Sequence, residues 1–533
     1  MKKLFLLLFI FAVLSINTQA QKYLTPTYAG VTVTGNVPYG SNFTVLTLSV
    51  PTIKHTSRYE PLICDIYQPT GDTTTTATRP LVIYVPTGNF LPRSVRQSPT
   101  GDKSDSSATE ICTRLAKLGY VAASASYRTG WNPIASTQNE RNATLLQATY
   151  RGIQDIRSCV RFFKANAGFY NIDTNKIVIW GEGTGGYIAL AVDCFNDYNK
   201  VAATIMPPGK FLTKNPADTT KLIPFVLQAL HGDIEGKSLN IVTAPYAAFG
   251  IPVGDTTCVP NTVGPSSKIA MVVNMGGALG DINWLDATSV PIVSIQAPHD
   301  QYAPYTSFVL QVPIGQGKSL PVVEVQGSYL ISVKADSIGT NAAFSKLTAA
   351  YDPYKGFSGS RSALVGAGSK NSSGLFPILG ASTLDSSPWQ WWSLTQTNGS
   401  DSANLAGSPG MSKAKSVKYI DSIMLFVMPR LCVGLGLSCK GVVTANEDLL
   451  LASNTKLLIS PNPAISAVTF ESEVSNPIHA IELYDLSGRQ ILQVNNINSA
   501  YYNLQRNTIA NGMYIAKVKF EGGVLAKKIL FQD

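Results

Sequence analysis

From Tyr59 onward, short runs of β-branched and aromatic residues alternate with stretches whose apolar positions recur at helical spacing. Leu62 to Tyr67, Leu81 to Val85, Tyr120 to Tyr127 and Pro291 to Ile295 read as strands, and Glu110 to Leu118 and Tyr419 to Leu431 as helices. Between Gln147 and Ala165, Ile153, Ile156, Val160 and Phe163 share one helical face, with Arg151, Asp155 and Arg161 on the polar positions. This alternation predicts a mostly parallel sheet covered by helices on both faces, an α/β architecture. The Pro-, Gly- and Thr-rich segment 207–267 interrupts it as an insertion, with its own helix-like run from Lys221 to Leu230. After Lys440 the period changes to two. Val468 to Glu471, Ala480 to Asp485, Gln490 to Val494, Tyr514 to Phe520 and Val524 to Phe531 read as short strands. Turn signals at Ser487-Gly488, Asn511-Gly512 and Glu521-Gly522-Gly523 separate them and predict a small all-β sandwich.

The first residues follow neither period. Lys2 and Lys3 precede an apolar run from Leu4 to Ile16, and Thr18-Gln19-Ala20 supplies small residues where a signal peptidase cleaves. The expected division is a signal peptide over 1–20, a large α/β domain over 21–440 with the insertion over about 207–267, a linker over 441–455 and the sandwich over 456–533. No later run resembles a transmembrane segment. Removing Lys2 and Lys3 lowers the formal charge of +9 to +7, a mild bias without the Lys/Arg clusters that nucleic-acid binding requires. Seven cysteines leave at least one unpaired within the chain. Cys432 and Cys439, close together in a glycine-containing loop, can bridge locally in an oxidising compartment. No Cys or His spacing suggests a metal, and no cofactor is expected.

Candidate chemistry gathers at Lys176 to Leu190, KIVIWGEGTGGYIAL, which reads as strand, glycine-dense turn and helix. That is the shape of a nucleophile elbow, in which the central residue of G-x-S-x-G projects from a strained turn at the carboxyl end of a sheet. Here the frame is Gly181, Glu182, Gly183, Thr184, Gly185, Gly186. The segments RPLVIYVPTGNF, LAKLGYVAASASYRTGWNP, the run from Tyr150 through the elbow, and DATSVPIVSIQAPHDQYAPY resemble, in order and spacing, α/β-hydrolase-fold carboxylesterases, close to bacterial esterases that act on decorated polysaccharides.

That resemblance implies a nucleophile at the position of Gly183, which has no side chain. Thr184, one step on, carries a hydroxyl but sits where a residue caps the first helical turn. The family's oxyanion loop, His-Gly-Gly-Gly, corresponds to Pro86, Thr87, Gly88 and Asn89, leaving Gly88 and Asn89 as N–H donors. Asp300 matches the orienting acid, with Gln296 where a histidine is usual. The base should follow the acid in chain order, yet no histidine follows Asp300 until His479 in the sandwich, and His299 adjoins the acid and points away. Asn89, Phe90, Trp131, Gly183, Thr184 and Tyr302 are expected to line a pocket beyond the strand ends. The cluster Trp389, Gln390, Trp391, Trp392 is a candidate sugar platform or, more simply, edge packing.

The blocks SPNP, IELYDLSGRQIL, NGMYIAKVKF and KKILFQD resemble the type A C-terminal sorting domain of the Bacteroidota type IX secretion system. This implies engagement by that machinery, export across the outer membrane, and a cell-surface or extracellular destination. The expectation is therefore a secreted, carboxylesterase-like protein without serine-esterase activity, a pseudoenzyme that binds an extracellular glycan or other polymer. A carbohydrate-directed esterase with a rearranged site, or a surface adhesin or structural subunit, are the alternatives.

Overall fold

The computed structural model describes residues 22–45, 57–71, 78–92, 96, 98–315, 317–347, 352, 354, 372–380, 385–393, 408–437, 439, 457–474, 476–485, 489–520 and 523–533. The expected signal peptide, the 441–455 linker and the turn residues Ser487-Gly488 and Glu521-Gly522 lie outside them. The chain divides into two compact units, one holding 1–345 and 356–439, the other 346–355 and 440–533.

In the first unit β1 (Gly30–Val45), β2 (Ser57–Thr70) and β3 (Arg79–Val85) precede α1 (Ser106–Leu118) and β4 (Val121–Ala125). Then come α2 (Gln138–Ala165), β5 (Ile172–Glu182) and α3 (Thr184–Cys194). An insertion follows, with hairpin β6 (Leu212–Asn215) and β7 (Asp218–Pro224), α4 (Gln228–His231), β8 (Asn240–Ile241) and β9 (Thr256–Cys258). The unit resumes with β10 (Met271–Met275), β11 (Ile292–Gln296), hairpin β12 (Ser307–Gly315) and β13 (Lys318–Gln326), α5 (Ser328–Ser337), β14 (Leu375–Pro377) and α6 (Lys413–Gly434). The main sheet runs β1-β2-β4-β3-β5-β10-β11-β14. β1, β2 and β4 are antiparallel neighbours, and every pair from β4 to β14 is parallel. Strands β3, β4, β5, β10 and β11 are buried over their apolar residues, as strands covered on both faces must be. This is the mixed α/β sheet of a hydrolase fold.

Two local expectations are corrected. Lys221 to Leu230 is not helical: Lys221 to Pro224 finish β7, and only Gln228–His231 turns as helix. Thr219, Thr220 and Ile223 favour extended backbone, and Pro224 cannot continue a helix through its missing N–H. The polar face of α2 is not solvent-facing either: Arg151, Asp155, Arg157 and Arg161 are all buried. Asp155 accepts from the Arg128 backbone N–H at 2.7 Å and from its guanidinium at 2.8 Å, both side chains fully enclosed. Gln154 donates to the carbonyls of His231 and Asp233, Arg157 to those of Ile234, Val192 and Phe195, and Arg161 to those of Glu235, Asn261 and Thr262. One helix therefore satisfies carbonyls at the end of α3 and in the loops of the insertion, which would otherwise be buried unpaired. Cys432, within the end of α6, and Cys439, past it, form a disulfide, while Cys64, Cys112, Cys159, Cys194 and Cys258 are free and buried.

The second unit is all antiparallel: β15 (Leu458–Ser460), β16 (Ala467–Glu471) and β19 (Tyr501–Gln505) form one sheet. β17 (Ala480–Tyr484), β18 (Gln490–Val494), β20 (Gly512–Phe520) and β21 (Gly523–Phe531) form the other, in the order β18-β17-β20-β21. Val468, Phe470, Ile481, Leu483, Ala516, Val518 and Ile529 make their shared core. Among the described residues no helix is long and apolar enough to cross a membrane.

Candidate functional site

Strand β5 ends on Glu182, hydrogen-bonding in register with Met275 of β10, and α3 begins at Thr184, so a single residue turns the chain. Gly183 makes that turn with φ 53° and ψ −119°, a conformation side chains resist. The helix presses so closely on β3 that a Cβ at Gly185 would lie 2.0 Å from the Val85 carbonyl oxygen. The elbow backbone is thus complete without its serine. A Cβ placed on Gly183 would meet the Thr87 hydroxyl at 2.3 Å and Thr87 Cβ at 2.9 Å. The seat of the missing side chain is taken from the loop after β3.

That loop is itself strained: Gly88 has φ 142°, and Asn89 and Phe90 follow with φ 54° and 52°. Consecutive non-glycine residues in the left-handed region cost of order 1–3 kcal/mol each and cluster at functional sites. The loop is held by the Phe90 carbonyl, which accepts from Gly130 N, and by Tyr127, whose hydroxyl lies 3.1 and 3.2 Å from the carbonyls of Pro86 and Thr87 and 3.0 Å from Thr184 Oγ1. A phenol has one proton. Given to either carbonyl, it leaves Tyr127 to accept from Thr184, whose hydroxyl proton is then committed to a group that burial pushes far above neutral pH for ionisation. Among the described residues, the hydrogen-bond partner of Thr184 Oγ1 is this phenol, which is no base.

A cavity of about 150 Å³ opens beyond the strand ends. Its floor is Thr87, Gly183, Thr184 and Asp300; its walls include Trp131, Leu146, Phe211, Trp284, Leu310 and Val323. The structure brings Asn89, Phe90, Trp131, Gly183, Thr184, Asp300 and Tyr302 to this one cavity; Gly88 does not line it. Phe211 comes from the insertion, and Leu310 and Val323 from the β12–β13 hairpin, which sequence patterning did not reveal.

Asp300 is buried at the end of β11. Its Oδ1 accepts from the N–H groups of Tyr302 (2.7 Å) and Ala303 (3.3 Å), and its Oδ2 from Gln296 Nε2 (3.2 Å). Ser386 lines the same cavity as this carboxyl. Burial outweighs these bonds and pushes it up to about 7. Ser386 and Ser387 lie between β14 and α6 and line the cavity. Only the folded topology reveals this, since Ser386 belongs to no sequence motif. His299 is exposed. His231 is buried in a second cavity, of about 260 Å³, between α2 and the insertion; it does not line the first. Burial and the nearby Arg151 and Arg128 hold it down to about 4.

Behind the elbow, Glu182 is fully buried. It accepts from Tyr84 Oη (2.5 Å), Ser107 Oγ (3.2 Å), Trp389 Nε1 (2.6 Å) and Gln390 Nε2 (2.8 Å). Trp389 is fully enclosed, so it packs the elbow's back rather than offering a sugar platform. Among the described residues no three His, Cys, Asp or Glu side chains gather as a metal would need.

The BD-FAE family matches residues 64–221, and the secretion system C-terminal sorting domain family matches residues 458–532. No curated protein matches the chain. Among solved structures, a thermophilic esterase from Thermogutta terrifontis is 21% identical, with 29% of this chain and 44% of that chain covered and a TM-score of 0.18. A truncated carbohydrate esterase from gut microbiota is 18% identical over 52% of this chain and 81% of that one, with a TM-score of 0.27. A bifunctional GH43-CE protein of Bacteroides eggerthii is 15% identical over 51% and 31%, with a TM-score of 0.26. TM-scores this low support no inference about this chain. The family matches do: an esterase-like α/β-hydrolase domain is fused to a secretion-system sorting domain, which marks a secreted protein of the cell surface or the extracellular space.

Proposed function

We propose that this chain, which joins an esterase-like α/β-hydrolase domain to a secretion-system sorting domain, is a pseudoenzyme. It is exported by type IX machinery and binds a group of an extracellular glycan or other polymer without cleaving it. The observation that carries this reading is Gly183 at the apex of an otherwise complete elbow, with no imidazole among the described residues at the cavity. Acyl transfer in this fold needs a nucleophile and a base acting as a unit, and losing either member removes most of the rate. The cavity remains suited to a ligand: aromatic and aliphatic walls, a hydroxyl-rich floor, and the first N–H groups of α3, which have no partner inside the helix. Its volume suits one ring or one substituent of a polymer rather than a polymer's length. Calorimetric titration of the full chain with soluble polysaccharides, with and without acyl substituents, tests this. Binding weakened at least tenfold in Trp131→Ala supports the reading, and no heat with any of them counts against it.

One observation favours a second reading, a carbohydrate-directed esterase with a rearranged site. An Asp300 carboxyl poised near 7 beside the Ser386 hydroxyl is the pairing a general base and a nucleophile require. Ester hydrolysis abolished by Ser386→Ala would select it.

A further inference from the structure

Resting on the proposed loss of turnover, we propose that Thr87 and Ser386 are the two residues that hold the seats of the nucleophile and the base. Restoring chemistry would then require vacating both. The argument for Thr87 is spatial. The elbow at Gly183 retains the conformation that would launch a side chain toward the cavity, and that side chain's first atom would fall 2.3 Å from Thr87 Oγ1. Rotating the threonine does not clear the site, because its Cβ stands only 2.9 Å away. Thr87 cannot retreat easily either: the carbonyls of Pro86 and Thr87 are within reach of the Tyr127 hydroxyl, and Asn89 and Phe90 fix the loop beyond it in the left-handed region. Serine at position 183 is thus excluded by a neighbour as well as absent.

The argument for Ser386 is topological. A base must touch both acid and nucleophile and, in this fold, comes after the acid in the chain. The residues after Asp300 that line the cavity are Tyr302, Leu310, Gln311, Val323, Val325, Ser386 and Ser387. Of these, Ser386 comes from the segment between β14 and α6 and shares the cavity with Asp300, where a base oriented by that carboxyl would stand. Ser386 therefore keeps the acid's partner position while supplying a hydroxyl that cannot take a proton at neutral pH. The site is a relic in three linked substitutions, and each explains the harmlessness of the others.

The test uses the full chain and the variants T87G, G183S, T87G/G183S and T87G/G183S/S386H, with melting temperature and p-nitrophenyl acetate hydrolysis as readouts. G183S should melt lower than the unaltered chain. In the T87G background, the same substitution should cost less than half as many degrees, because only the strain of the left-handed turn remains. The triple variant should release p-nitrophenolate at least tenfold faster than any of the others. Melting shifts that simply add would overturn the assignment of Thr87. A triple variant that melts cooperatively yet stays at the buffer rate would overturn that of Ser386. Should it fail to fold, T87G/G183S/S386G with added imidazole reads the same seat, a rate above that of the same imidazole in buffer alone upholding it and no excess overturning it. Hydrolysis by the unaltered chain would instead overturn the proposed function, which the melting pair does not depend on.

Discussion

Glu182 and Gly183 are adjacent in the chain, face opposite sides of the same elbow, and live under opposite rules. Behind the elbow, the Glu182 carboxylate accepts from four side chains drawn from β3, α1 and the loop before α6. On the cavity side, Gly183 offers nothing, and Thr184 and Asp300 are satisfied by local partners. A buried charge must be paid for in hydrogen bonds wherever it sits, so the back of the elbow tolerates no loss. The front carries only what ligand chemistry asks of it. Fold and chemistry are separable at a distance of one residue.

The largest effect belongs to the scaffold: Asp155→Ala leaves the Arg128 guanidinium buried and unpaired and should cost about 3–5 kcal/mol of stability in urea unfolding. Behind the elbow, Trp389→Phe keeps an aromatic ring but withdraws one donor from Glu182 and leaves part of the indole's volume empty, for a loss of about 1–3 kcal/mol in the same assay. On the cavity side, Thr184→Ala should change stability by no more than about 1 kcal/mol, and a loss as large as that of Trp389→Phe would erase the contrast.

Acidity sharpens the same point. Burial pushes Asp300 up to about 7, above an unfolded value of about 3.9, so the folded chain keeps a proton that the unfolded chain has released. Stability contributed by this group therefore falls as pH rises from about 4 to about 7. Asp105 and Asp193, pushed up to about 7 by burial as well, act in the same direction. Asp300→Asn cannot titrate, and the difference between its urea midpoints at about pH 5 and about pH 8 should be smaller than that of the unaltered chain. An equal difference would mean that Asp300 is ionised throughout.

The sheet was legible because fully buried parallel strands such as Leu81 to Val85 are runs of one kind of residue, and the elbow because its glycines are packing requirements written locally. Strand β1 escaped notice: its Thr, Asn and Gly residues lie at the sheet edge, half in solvent, and carry no apolar period. The burial of Arg157 and Arg161 was invisible for another reason, since their carbonyl partners come from an insertion many residues downstream. Thr87 and Ser386 fall in the same class. Each is defined by what it adjoins in space, a vacant Cβ position and an aspartate, and neither fact has a trace in local sequence.

The loss of turnover is tested most directly by p-nitrophenyl acetate hydrolysis with the unaltered full chain, measured beside Thr184→Ala and Ser386→Ala. It predicts that all three release p-nitrophenolate at the rate of buffer alone. Turnover by the unaltered chain that disappears in either variant would contradict it and make that hydroxyl a displaced nucleophile.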